Sequence, residues 1–387
     1  MKEIIDTSLN LDMIKEIEYV PSSDKVDTRT FSRLLDDDKV VASYKMYWML
    51  GILEKVSAGK EEIDFKRIIF RMIAHAWYPI LQYKLNFGIF DNLKKSVNYV
   101  SEKYNFASNY DEKELLEFLN NNDDKELQKM VKELMNMVPY RLIAPFFANE
   151  LLGKKDCVKN KIITELSMRS DKCLYKIVKG KPCKIIINAG WADYLNENYR
   201  IIKAWIYYKL VCFLQKRNPN VPAIAFKIEA PKSRDLVKAD KLWKKIIDDK
   251  KIKDIYTGRE FNASSFREYG PLSTDHFIPW SFVLHDEMWN LVPTFRNVNS
   301  KKNDKLLAFD EYIDDFCKVQ YKAFSYLCDK KVYMVLEQYI DALRLGNPFD
   351  YYKFKSGTDF ERRIRQCISP LYQIAVNQGF QVVKKII

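Results

Sequence analysis

The sequence predicts a mainly α fold with one small α+β insertion, and three observations carry that expectation. Apolar residues recur at helical spacing from about Val40 to residue 138, and again beyond Leu306. Between about 250 and 305 that spacing gives way to short β-like runs bounded by Gly and Pro. Only 11 of the 387 residues are Gly and 13 are Pro, which excludes a collagen-like or linker-dominated chain. With 47% apolar and 14% aromatic residues, there is ample material for a core.

The elements follow in order. Residues 1–40 are polar and irregular and end in Asp36-Asp37-Asp38. VVASYKMYWMLGILEKV from Val40, FKRIIFRMIAHAWYPILQYKL from Phe65 and residues 91–104 each read as helices. DEKELLEFLNNN opens with acids, which suit the positive end of a helix dipole, and stops at an Asn cluster. DDKELQKMVKELMNMV repeats the pattern and ends before Pro139. Cys183–Asn188 is β-like, and Trp191–Arg217 reads as one long, mostly buried helix. Residues 218–235, with three prolines, read as a linker wrapping a surface, and Leu236–Asp248 as a basic amphipathic helix. Past Leu306, helices are expected through FDEYIDDFCKVQYKAFSYL and VYMVLEQYIDALRL, with a break at Pro348 and a last helix over roughly 358–378. The division expected is 1–235, 236–310 and 311–387.

Charge is unevenly placed. The net charge is +12, yet residues 151–250 hold 23 basic and 10 acidic residues, while residues 1–150 are net −4. Such a block suits a polyanion, because each Lys or Arg that neutralises a phosphate releases a condensed counterion. The seven cysteines (Cys157, Cys173, Cys183, Cys212, Cys317, Cys328 and Cys367) include no C-x-x-C pair, so neither a disulfide framework nor a zinc knuckle is read from them. An odd count without an export signal fits the reduced thiols of a cytoplasmic protein. The most apolar stretch, IIKAWIYYKLVCFL, carries Lys203 and Lys209 and does not make a membrane span of ~20 residues.

The chain has only three histidines, His75, His276 and His285. His276 follows an acid in Thr274-Asp275-His276-Phe277-Ile278-Pro279. Fourteen residues later stands Asn290-Leu291-Val292-Pro293, and nine further on comes Asn299, in Asn297-Val298-Asn299-Ser300-Lys301-Lys302. These three spaced elements resemble the HNH (ββα-metal) nuclease family over roughly Ile252–Leu307. The resemblance implies an endonuclease that hydrolyses phosphodiester bonds with Mg²⁺, or Mn²⁺ in its place. DNA is the leading substrate and RNA the alternative; a nucleic-acid-binding module with an inert centre is the rival reading. It also implies that Asn290 orients the base by bonding across the loop. HNH units fused to helical regions of this size resemble restriction and phage-defence effectors. On that view residues 1–235 would serve sensing, DNA binding or docking of a protein partner. The pattern departs from many HNH domains at Ile255-Tyr256-Thr257-Gly258-Arg259, where no cysteine pair stands. No structural zinc is therefore expected, and Ile255, Tyr256, Phe261, Phe266, Trp280 and Trp289, with flanking helices, must hold the hairpin.

The residues support the same chemistry by themselves. Leu272–His276 and Asn290–Pro293 read as short strands and Arg296–Leu306 as a polar helix. A hairpin against one helix can set Asp275 and Asn299 side by side as oxygen donors. One carboxylate and one amide are a sparse shell, which Mg²⁺ tolerates because it keeps several waters. Asn303, four residues on, is the competing ligand. His276 points to the other side of its strand from Asp275 and is the candidate general base. Lys301, Lys302 and Lys305, with Arg259, are the candidate phosphate contacts. His75 and His285 read as structural.

Overall fold

The computed structural model describes residues 20–36, 40–229 and 236–386. Asp37, Asp38 and the later part of the expected linker lie outside the described residues. The described chain is mainly helical with three small sheets, and it divides near residues 219–231 into two compact units.

The N-terminal unit is built on α1 (Tyr44–Ser57) and α2 (Phe65–Trp77). A Cβ on Gly51 would come within 2.9 Å of Ile68 Cγ2, so the glycine sets how closely these two helices pack. Around them stand α3 (Leu93–Tyr104), α4 (Glu112–Asn121), α5 (Lys125–Met135) and α6 (Asp156–Arg169). The strands β1 (Glu62–Asp64), β2 (Tyr175–Val178) and β3 (Lys184–Ile187) form an antiparallel sheet in the order β1-β3-β2. Trp48, Trp77 and Trp191 are fully buried in this unit. The region expected to be irregular holds a short helix, Thr28–Ser32, whose Phe31 ring lies 5.1 Å from that of Trp191.

The single helix expected over Trp191–Arg217 is instead two, α7 (Ala189–Glu197) and α8 (Tyr199–Arg217). Asn198 separates them, with φ −106° and ψ 18°, and its Nδ2 donates to the Tyr194 carbonyl. A short polar side chain that bonds the nearby backbone competes with helix continuation.

The second unit carries α9 (Val237–Lys250), α10 (Ala263–Tyr269), the hairpin β4 (Leu272–His276) and β5 (Leu291–Phe295), and α11 (Arg296–Lys302). Beyond it lie β6 (Leu306–Leu307), α12 (Phe309–Asp329), α13 (Tyr333–Leu343), α14 (Gly357–Asn377) and β7 (Val382–Val383). The break expected at Pro348 falls earlier, after Leu343, where Arg344 turns left-handed, and Pro348 opens the next helix, Pro348–Phe354, at whose N-cap Asn347 accepts from Phe349 N and Asp350 N. One apolar core runs from Trp243 to Phe380, so the helices after residue 310 pack in the same unit as the hairpin. Phe295 sits within 4.9 to 5.9 Å of the rings of Phe261, Phe266 and Tyr269, fastening α10 to β5.

Candidate active site

The hairpin begins after Gly270, whose φ of 86° suits glycine and where a Cβ would lie 3.1 Å from Asn297 Oδ1. Its register pairs Asp275 with Val292 and Thr274 with Pro293. The Phe277 N–H donates to the Asn290 carbonyl, so ladder bonds fall at the odd-numbered residues of β4. Pro293, which has no N–H, thus stands opposite Thr274, where no ladder bond is lost. The carbonyls of Thr274 and His276 face the unpaired edge, and α11 closes against that edge. Asn299 Nδ2 donates to Thr274 O and to Ser273 Oγ, each at 3.0 Å, and Lys302 Nζ donates to His276 O at 2.7 Å. Three residues apart, Asn299 and Lys302 share one helix face.

The Asp275 carboxylate is enclosed. Tyr256 donates its hydroxyl to it at 2.5 Å, and Lys302 Nζ lies 3.0 Å away. Burial lifts the Tyr256 phenol well above its usual pKa and the charge of Asp275 lifts it further, so the phenol stays protonated and remains a donor. The turn before the hairpin is closed by Asp254, which accepts from Thr257 N at 2.9 Å and Thr257 Oγ1 at 2.6 Å. Burial raises the Asp254 carboxyl, partly offset by those bonds.

His276 is anchored through Nε2, 2.8 Å from Asp286 Oδ1 and 3.2 Å from the His285 carbonyl. Both partners are acceptors, so Nε2 carries the proton and Nδ1 keeps its lone pair in the neutral ring. No described residue bonds Nδ1. Asn290 is fully buried and clamps the loop base: its Oδ1 accepts from Ile278 N and its Nδ2 donates to Ile278 O, both at 2.9 Å. His285 packs its ring 4.8 Å from that of Trp289. Burial, with His276 adding to it, holds the His285 imidazole below the ordinary histidine range, against the raising effect of Glu287 and Asp286.

The candidate phosphate contacts differ among themselves. Lys301 and Arg259 are exposed, and Lys305 is half-buried beyond the end of α11. Lys302 departs from its expected part: its side chain is 1% exposed and paired with Asp275, so it offers no surface cation. Helical spacing, which puts it on the face of Asn299, is the signal for that inward direction. Asn303, the competing ligand, has φ 51° and ψ −128°; it has left the helix and no longer shares the face of Asn299.

A DH–N–N arrangement on a hairpin and helix invites comparison with known families. Residues 254–307 match the HNH endonuclease family. No curated protein and no solved structure matches the chain. The match over this segment points to nuclease chemistry on nucleic acid, and among the described residues no helix is long and apolar enough to cross a membrane.

The HNH donor set fits a hard divalent ion in kind. Asn299 has its amide nitrogen tied to β4, which leaves Oδ1 without a hydrogen-bond donor among the described residues. Asp275, two strand positions from the Ser273 whose hydroxyl Asn299 bonds, supplies anionic oxygen, and Mg²⁺ accepts so sparse a protein shell. Among the described residues no three His, Cys, Asp or Glu gather around a common point. An ion at Asp275 would compete with the ammonium of Lys302. Two partners within the HNH segment escape sequence reasoning: Asp286, which fixes the His276 ring, and the Tyr256 hydroxyl, which reads as an apolar core residue. An acid inside the loop that Asn290 closes was the available signal for Asp286.

Proposed function

We propose that the HNH segment is a working endonuclease centre that hydrolyses phosphodiester bonds in DNA with Mg²⁺. The observation that carries this is the anchoring of His276. With its Nε2–H committed to Asp286 and the His285 carbonyl, Nδ1 is left as the basic atom that takes a proton from the attacking water. Asn290 acts through the loop, as a positioning residue that keeps residues 285–286 over the ring. Asp275 and Asn299 would hold the ion, and Lys301, Lys305 and Arg259 would hold phosphates. When bound, the ion offsets the negative charge that grows on the phosphorus-bound oxygens in the transition state. A nuclease unit joined to a helical unit of this size suits a restriction or phage-defence effector, with the helical unit selecting the target or docking a partner.

One observation favours a second reading. The Lys302–Asp275 pair already neutralises the carboxylate, as it would in a binding module with an inert centre. Incubating the full chain with duplex DNA, single-stranded DNA and RNA, with Mg²⁺ or EDTA, decides between them. Nicking of DNA that EDTA and His276→Ala both abolish supports the proposal. Cleavage of RNA alone moves the substrate to RNA. Binding without cleavage of any substrate leaves the inert module.

A further inference from the structure

The C-terminal strand runs beside the helix that carries Asn299. Strand β7 pairs in parallel with β6, Leu306 opposite Val382 and Leu307 opposite Val383. Leu306 N donates to Gln381 O at 2.8 Å and Ala308 N to Val383 O at 3.0 Å. Phe380, just before the strand, is buried with its ring 5.9 Å from that of Phe282, and the Tyr312 hydroxyl donates to the Lys384 carbonyl at 3.3 Å. The tail is therefore fastened from residue 380 to residue 384, and the residue that follows is delivered to a fixed place.

That residue is Lys385. The strand ends at Val383 and the chain bends at Lys384, which leaves Val383 and Lys385 on one side of the turn. Both line a depression of about 400 Å³ together with Lys301, Lys305 and Ile386. Lys301 and Lys385 are exposed, and neither has an acidic partner among the described residues. Three ammonium groups at an open concavity, two residues from Asn299, form a site for the repeating anion of a nucleic-acid backbone. We propose that Lys385 joins Lys301 and Lys305 in a phosphate-binding cradle that holds the substrate strand beside the nuclease centre. This rests on the nuclease reading for its substrate, and it lies beyond the matched segment, which ends at residue 307.

The test measures binding in EDTA, so that cleavage plays no part. Fluorescence anisotropy of a labelled DNA duplex and of an RNA duplex is followed against salt for the wild-type chain, Lys385→Gln and Lys355→Gln. Lys355 is exposed elsewhere in the same unit and controls for the loss of a charge. Loss of one phosphate contact lowers the slope of log K against log salt by about one in magnitude. The cradle predicts that loss for Lys385→Gln and an unchanged slope for Lys355→Gln; the duplex that shows it identifies the backbone held. Equal slopes for the two variants on both duplexes overturn the cradle, whatever the cleavage assay shows. A lost contact in a chain that cleaves nothing keeps the cradle and overturns the nuclease reading instead.

Discussion

Lys302 Nζ lies 3.0 Å from the Asp275 carboxylate, and the two side chains are 1% and 5% exposed. Neither charge is easily left alone at that depth. Removing one partner of a buried ion pair costs about 3–5 kcal/mol, because the other is stranded without solvent. Lys302→Met is therefore expected to lower the melting temperature of this unit markedly. A divalent ion at Asp275 supplies the missing positive charge, so Mg²⁺ should raise the melting temperature of the variant more than that of the wild type. Thermal melts with and without Mg²⁺ check this, and equal shifts in the two proteins would place the ion elsewhere.

The His276 ring depends on Asp286 for its tautomer. Asp286→Asn keeps the size but offers an amide that can donate to Nε2, which would put the proton on Nδ1 and remove the base. His276→Ala should slow cleavage by roughly 10²–10⁴-fold, the usual worth of a positioned acid or base. Asp286→Asn should fall between that variant and the wild type. Single-turnover cleavage by the wild type and the two variants measures that order.

Asn290 satisfies both backbone groups of Ile278 in a fully buried place. Asn290→Ala leaves the Ile278 N–H and C=O unpaired, at about 1–3 kcal/mol for each buried group. Asn290→Asp keeps the acceptor for Ile278 N but faces the Ile278 carbonyl with a second acceptor. Both variants should lose stability in urea titrations, and their turnover should fall further than that of a surface variant of equal stability. A variant that lost stability and kept full turnover would remove Asn290 from the positioning of His276.

The hairpin is legible because its short, partly β-branched or apolar runs lie between Gly-Pro and Asn boundaries, and because Asn299 falls on the short helix that follows β5. The helices of the N-terminal unit are legible from a different signal, the recurrence of apolar residues at helical spacing. What escapes is whatever depends on the return of the chain. Asp286 bonds His276 only because a fourteen-residue loop folds back on its own start. Lys302 reads as solvated because lysines are rarely buried, and its burial follows from a partner 27 residues away. Strand β1 is three residues long and exists only by pairing with β3, more than 120 residues later. The break at Asn198 turns on one side chain's bond to the backbone, against a helical apolar pattern on both sides.

Lys227 makes stability depend on pH in a predictable direction. The residue has no exposed surface, and burial pushes its ammonium down from 10.5 to about 7. Between pH 7 and 9 the unfolded chain holds a proton that the folded chain has released. The unfolded state then binds more protons, so stability rises with pH across that window, by about 2 kcal/mol. Below pH 7 both states hold the proton and the slope from this residue vanishes. Lys227→Met cannot take up the proton in either state and removes the rise. Urea midpoints of the wild type and the variant at pH 7, 8 and 9 read the difference: the wild-type midpoint should climb relative to that of Lys227→Met, and parallel curves would mean that Lys227 keeps its charge in the folded protein.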